Sequence, residues 1–123
     1  MIVHIDRAWL LDAAAQHLPS DPDITDYGSL AAAVARHADA VIDVPVYVEP
    51  HHRAAALLHQ LVRIPALEFA NEHFAVVVAV SYLALSGLQM DVEDKQAIEL
   101  VHRVAAGLDV RATAAEIRSW VAG

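Results

Sequence analysis

An all-α domain is the fold class this sequence predicts, and three observations predict it. The run from Phe74 to Leu85 is apolar apart from Ser81 and Tyr82, and it continues beyond the roughly eight residues at which a buried strand stops. Most of the remaining chain repeats apolar residues at three- and four-residue spacing, the signature of helices with one buried stripe. Only one stretch, VIDVPVYVEP from Val41 to Pro50, is rich in β-branched residues, and Pro45 within it forbids a central strand. The expectation is a helical bundle around one buried central helix at about 72–86, with a small β-like flap at about 41–50, in a single domain spanning residues 1–123.

Composition narrows the class further. Hydrophobic residues make up 57% of the chain and charged residues 20%, which excludes a disordered chain. With no cysteine, disulfides, thiolate catalysis and thiolate zinc sites all fall away. The formal charge of −8 works against a nucleic-acid partner, whose phosphates need cations. No apolar run approaches the roughly 20 residues of a membrane span, and MIVHIDRAWLLDAAAQ lacks the basic region and cleavage pattern of a signal peptide. A cytoplasmic protein with neither a nucleic-acid nor a membrane partner is expected.

The elements follow in order. Met1 to Ile5 reads as an extended lead-in, and Asp6 caps a first helix, RAWLLDAAAQHL, with Trp9, Ala13 and Leu10, Ala14 paired on one side. PSDPDITD, residues 19–26, is turn chemistry. A second helix from Tyr27 to His37 carries Leu30, Ala33, Val34 and His37 along one stripe, its alanines allowing close approach of a neighbour. Pro50 suits the first position of a third helix with Ala54, Leu57, Leu58, Leu61 and Val62 inward, and Pro65 stops it.

The central helix then opens at Asn71, read as its N-cap, with Glu72 complementing the helix dipole, and Gly87 suits the left-handed position that ends it. Asp91 is read as the cap of a fifth helix with Ile98, Val101, Ala105 and Leu108 inward. Thr113 and Glu116 have capping-box spacing for a sixth, whose apolar face is Ile117, Trp120 and Val121.

A helix start that follows a tight turn is a generic phosphate site, because its first N–H groups lack partners within the helix. Here Glu72 already places a carboxylate in that turn. His51 and His52 beside Glu49 suggest metal ligands, yet adjacent helical residues diverge by about 100° and one ion cannot readily take both. His59 and His102 interrupt apolar faces and read as hydrogen-bonded packing residues. Val44, Val46 and Val48 form a candidate partner-binding flap, by addition of a partner strand to the hairpin edge. An unpartnered edge guarded by Pro45 explains them equally.

Three pieces occur in a suggestive order: HRAAALLHQLVR, then ANEHFAVVVAVSYLALSGL, then VHRVAAGLDVRATAAEIRSW. In this order the chain resembles the Fic/Doc (Fido) family, specifically its short death-on-curing branch, in which a loop of the form H-x-F-x-D-A-N-K-R precedes the central helix. The resemblance implies an all-helical domain whose flap clamps a target segment. It also implies phosphate or nucleotide transfer to a protein hydroxyl from ATP with magnesium, and pairing of the toxin with a Phd-like antitoxin.

The motif is degenerate in this chain over about residues 65–73. Anchored on Ala70 and Asn71, it has Pro65 in place of the histidine, Leu67 for the phenylalanine, Phe69 for the acid, and Glu72 and His73 for the Lys-Arg pair. A one-residue insertion puts Glu68 at the acid but Ile64 at the histidine, so neither alignment recovers a base. Two readings follow from the resemblance. One is a Doc-like toxin acting through an antitoxin or a protein target, without ordinary transfer. The other is a diverged phosphotransferase or nucleotidyltransferase acting on a translation factor such as elongation factor Tu, with His73 as base, Glu68 near a metal and Asn71 on phosphate. Either leaves assembly into a homo-oligomer open.

Overall fold

Every described helix except the apolar one at Asn71–Leu85 begins at a short polar or proline signal. A computed structural model describes residues 2–41 and 44–122. The elements are α1 (Arg7–His17), α2 (Tyr27–His37), β1 (Ala40–Val41), β2 (Val44–Pro45), α3 (Pro50–Arg63), α4 (Asn71–Leu85), α5 (Asp94–Ala105) and α6 (Val110–Trp120). The all-α expectation holds, with one two-stranded antiparallel hairpin pairing Ala40 with Pro45 and Val41 with Val44. Among the described residues no helix is long and apolar enough to cross a membrane.

Two helices share the centre of the bundle. α4, the one the apolar run marks, buries Phe74, Ala75, Val78, Ala79, Tyr82 and Leu83, while its last residue, Leu85, is half exposed. α3 is enclosed further, with Arg53 through Leu58 and Leu61 all buried, and it packs against α2, α4, α5 and α6. Its alanine triplet Ala54–Ala56 lets those neighbours approach closely. The Tyr82 hydroxyl, deep in this core, donates to the Val3 carbonyl and so ties down the N-terminal lead-in.

Several local signals act as read. Asp6 accepts from the Trp9 N–H at 2.8 Å as the N-cap of α1, and Pro50 stands in the first turn of α3. Gly87 takes φ +86° while its N–H bonds to the Ala84 carbonyl and the Leu88 N–H to that of Leu83, both at 3.0 Å. This is the Schellman closure that favours glycine.

Other readings are corrected. The cap of α5 is Glu93, two residues beyond Asp91, because Glu93 and Gln96 complete a reciprocal capping box while the Asp91 N–H is used by the Trp120 carbonyl at 2.7 Å. α6 starts at Val110 with Asp109 as cap, accepting from Ala112 N–H at 2.7 Å, and Thr113 is a buried helical residue. Ile98 is 52% exposed and Ala105 and His102 are also exposed, so the inward face of α5 is Ala97, Leu100, Val101 and Val104. His59 is the hydrogen-bonded packing residue expected, lying between the Arg36 guanidinium at 2.9 Å and the Leu108 carbonyl at 3.1 Å.

Candidate functional site

The loop between α3 and α4 is held by residues 35 to 45 positions earlier in the chain. Ile24 and Leu67 form an antiparallel bridge. Around it, the Thr25 and Asp26 N–H groups donate to the Ala66 carbonyl at 2.8 and 3.1 Å, and the Glu68 N–H donates to the Asp23 carbonyl at 3.0 Å. The Ser29 hydroxyl donates to the Ile64 carbonyl. Ala66 and Leu67 are buried as a result.

This bridge decides what Asn71 does. Its amide oxygen accepts from the Ala66 N–H at 3.1 Å and the Leu67 N–H at 2.9 Å, and its amide nitrogen donates to the Leu67 carbonyl at 2.8 Å. All three side-chain bonds close the six-residue loop from Ala66 to Asn71 rather than cap the helix. The N-cap position belongs instead to Ala70, in left-handed geometry at φ 63°, ψ 25°, with no side-chain cap bond. The reading of Asn71 as N-cap is therefore corrected: it is the first helical residue, and its side chain points back to staple the loop.

Glu68 is exposed, and one of its carboxylate oxygens accepts from the Asp23 N–H at 3.1 Å. Glu72 and His73 occupy the first turn of α4, both exposed. Together with Val76 they border a cleft of about 690 Å³ whose opposite wall is Asp94, Ala97, Ile98 and Val101 of α5. Glu72 lies 3.5 Å from His102, a contact with both side chains more than 60% exposed, which contributes little to stability. The structure thus brings Asn71, Glu72 and His73 to one cleft and leaves Glu68 outside its lining. Asp94 was missed by the sequence reading. Its signal was an acid in the first turn of α5, which by itself reads only as a partner for the helix dipole.

The flap valines stand elsewhere. Val44, Val46 and Val48 are 64%, 44% and 54% exposed, and the Val46 N–H donates to the Asp39 carbonyl at 2.9 Å, extending the hairpin. They lead into the first turn of α3, whereas the stapled loop leaves its last turn. A helix of 14 residues separates the two by roughly 21 Å at 1.5 Å per residue.

Three histidines outside the cleft have their pKa lowered. Burial lowers the pKa of His37 first of all, and the nearby charges of His4 and Arg53 lower it further. Burial also lowers His59, aided by Arg36, and lowers His51, aided by His52 and Arg118. The His51 and His52 rings lie 4.6 Å apart, and among the described residues no group of three or more histidine or acidic side chains is placed to hold a metal ion.

Among the described residues, six helices, one small hairpin and a bridged loop that delivers a helix start to a cleft agree with the all-helical domain of the Fic/Doc class. No protein-family model matches the chain. It is 34% identical to a protein described as Toxin Doc from Mycolicibacterium smegmatis, over 125 aligned residues that take in 99% of this chain and 96% of that one. The chain belongs to the Doc toxin family.

Proposed function

We propose that this chain is the toxin component of a toxin-antitoxin module, acting in the cytoplasm by binding protein, with a site that disfavours ordinary nucleotide or phosphate transfer. The observation that carries the reading is the charge of the α4 cleft. Its acidic lining residues are Glu72 and Asp94, and no lysine or arginine is among its described lining residues. Phosphoryl transfer depends on positioning and on cations that stabilise the phosphates. At about 6 Å and an effective dielectric near 20, one carboxylate repels each unit of phosphate charge by roughly 3 kcal/mol before solvent screening reduces it.

The residues present do not fit ATP and magnesium. Pro65 stands where the family motif has its base, the Asn71 amide is bonded to the loop backbone, and a Glu68 carboxylate oxygen accepts from Asp23. Titration calorimetry with ATP and magnesium tests the reading. No micromolar binding is expected, and a clear micromolar Kd overturns it. The toxin role is tested by expression in a host cell: growth arrest that a co-expressed Phd-like antitoxin relieves supports it, and unaffected growth with folded protein present opposes it.

The flap supplies a second surface for a protein partner. Val44, Val46 and Val48 offer apolar contact, although Pro45 withholds one backbone donor from an added strand. A transferase reading has one observation in its favour, His73 at the cleft wall. Transfer of label from ATP to a protein substrate such as elongation factor Tu, abolished in His73→Ala, would establish that reading in place of the first.

A further inference from the structure

The acidic rim of the cleft stands over an apolar floor, and the two together specify an occupant. Val76 comes from α4, and Ala97, Ile98 and Val101 from α5. At about 690 Å³, the cleft has room for a long side chain with its flanking residues. Glu72 lies in the first turn of α4, and Asp94 is the first residue of α5. Each of these helix starts contributes about half a positive charge, so two carboxylates leave the rim with a net charge of about −1.

Lysine and arginine match that arrangement, laying an apolar stem along the floor and keeping the charged head at the wet rim. The surface on the other flank of Ile98 carries Lys95, His102 and Arg103 with Glu99, so a cationic head is better matched to Glu72 and Asp94 than to that flank. The contact that Glu72 already makes, with His102 at 3.5 Å, is exposed on both sides and is readily exchanged for a better partner.

We propose that this cleft receives a lysine or arginine side chain, flanked by apolar residues, from a segment of a protein partner. The proposal rests on the reading that the chain works by binding protein, and it adds the chemistry of the occupant. The test is a titration of isotopically labelled protein, followed by amide chemical shifts, with a capped leucine-arginine-leucine peptide and with the same peptide carrying neutral citrulline for arginine.

The arginine peptide is expected to shift the amides of His73, Val76 and Ile98 in a saturable way, and the citrulline peptide to bind about fivefold more weakly, the scale of a surface ion pair. Glu72→Gln combined with Asp94→Asn, both exposed positions, should abolish the difference between the peptides. Glu99→Gln, which neutralises one carboxylate on the other flank, should retain it. Equal binding of the two peptides, shifts that map to another face, or no shifts from folded protein each overturn the proposal. Absence of both ATP and peptide binding defeats this proposal alone, whereas micromolar ATP binding defeats the reading beneath it.

Discussion

Replacing Asn71 separates two accounts of this residue that both look reasonable from the sequence. The structure spends its side chain on three bonds to the loop, at 3.1, 2.9 and 2.8 Å. Asn71→Ala strands the N–H groups of Ala66 and Leu67, two buried residues. A buried donor left without a partner costs about 1–3 kcal/mol, and partial access of water to the part-buried site brings the expected sum to about 2–4 kcal/mol. With a urea m-value of about 1–3 kcal/mol/M for a small domain, the denaturation midpoint should fall by roughly 1–2 M. Asn71→Ser supplies the decisive comparison. Serine is as good an N-cap as asparagine but is too short to reach across the loop, so the staple account predicts a loss close to that of alanine. Near-native stability of Asn71→Ser beside a destabilised Asn71→Ala would refute the staple and restore the cap.

Three further outcomes follow from the same contacts. The His37 ring, neutral with its Nδ1 toward the Val34 carbonyl, accepts the Ile5 N–H at Nε2 at 3.1 Å, and burial lowers its pKa below the ordinary 6.5. Because the unfolded chain takes up the proton first, this contribution is whole above about pH 6.5 and is lost as the pH falls through the lower folded value. Urea midpoints measured between about pH 7.5 and 5.5 should decline, less steeply in His37→Gln, and a rise on acidification contradicts the assignment. Tyr82→Phe removes the donor to the carbonyl of the partly buried Val3 and should cost about 1–2 kcal/mol, with faster hydrogen exchange in the N-terminal residues as its local sign. Gly87→Ala meets no atom within 4 Å at its new Cβ, so only the strain of φ +86° remains; about 1 kcal/mol is expected, and a cost beyond about 3 kcal/mol would mean an unseen clash.

Where a signal is local, the sequence was legible. Tyr27–His37 is the helix its stripe describes, and the central helix begins and ends within one residue of the expected 72–86. Pro50 and Gly87 act at the positions their covalent chemistry suits. The misreadings share a different cause. Asp91 is the better cap by residue type, but the Trp120 carbonyl ties its N–H to the far end of the chain, and the helix starts two residues on, where Gln96 accepts from the Glu93 N–H. Ile98 sits on an apolar-looking stripe, yet α5 turns that position outward at 52% exposure, since Ala97, Leu100, Val101 and Val104 already cover its contact with the core.

The same division runs through the candidate site. That Glu72 and His73 follow Asn71, and that no histidine stands between Ile64 and Ala70, can be read without coordinates. Capping, periodicity and turn chemistry are likewise written in stretches of a few residues, because the forces behind them act over one helical turn. That Glu68 bonds to Asp23, that Asn71 staples a loop, that Asp94 faces Glu72 across a cleft and that the flap lies a helix length away were decided only by tertiary structure. Each of these depends on how α2, α3, α4 and α5 pack, and burial of their apolar faces sets that geometry without regard to distance along the chain.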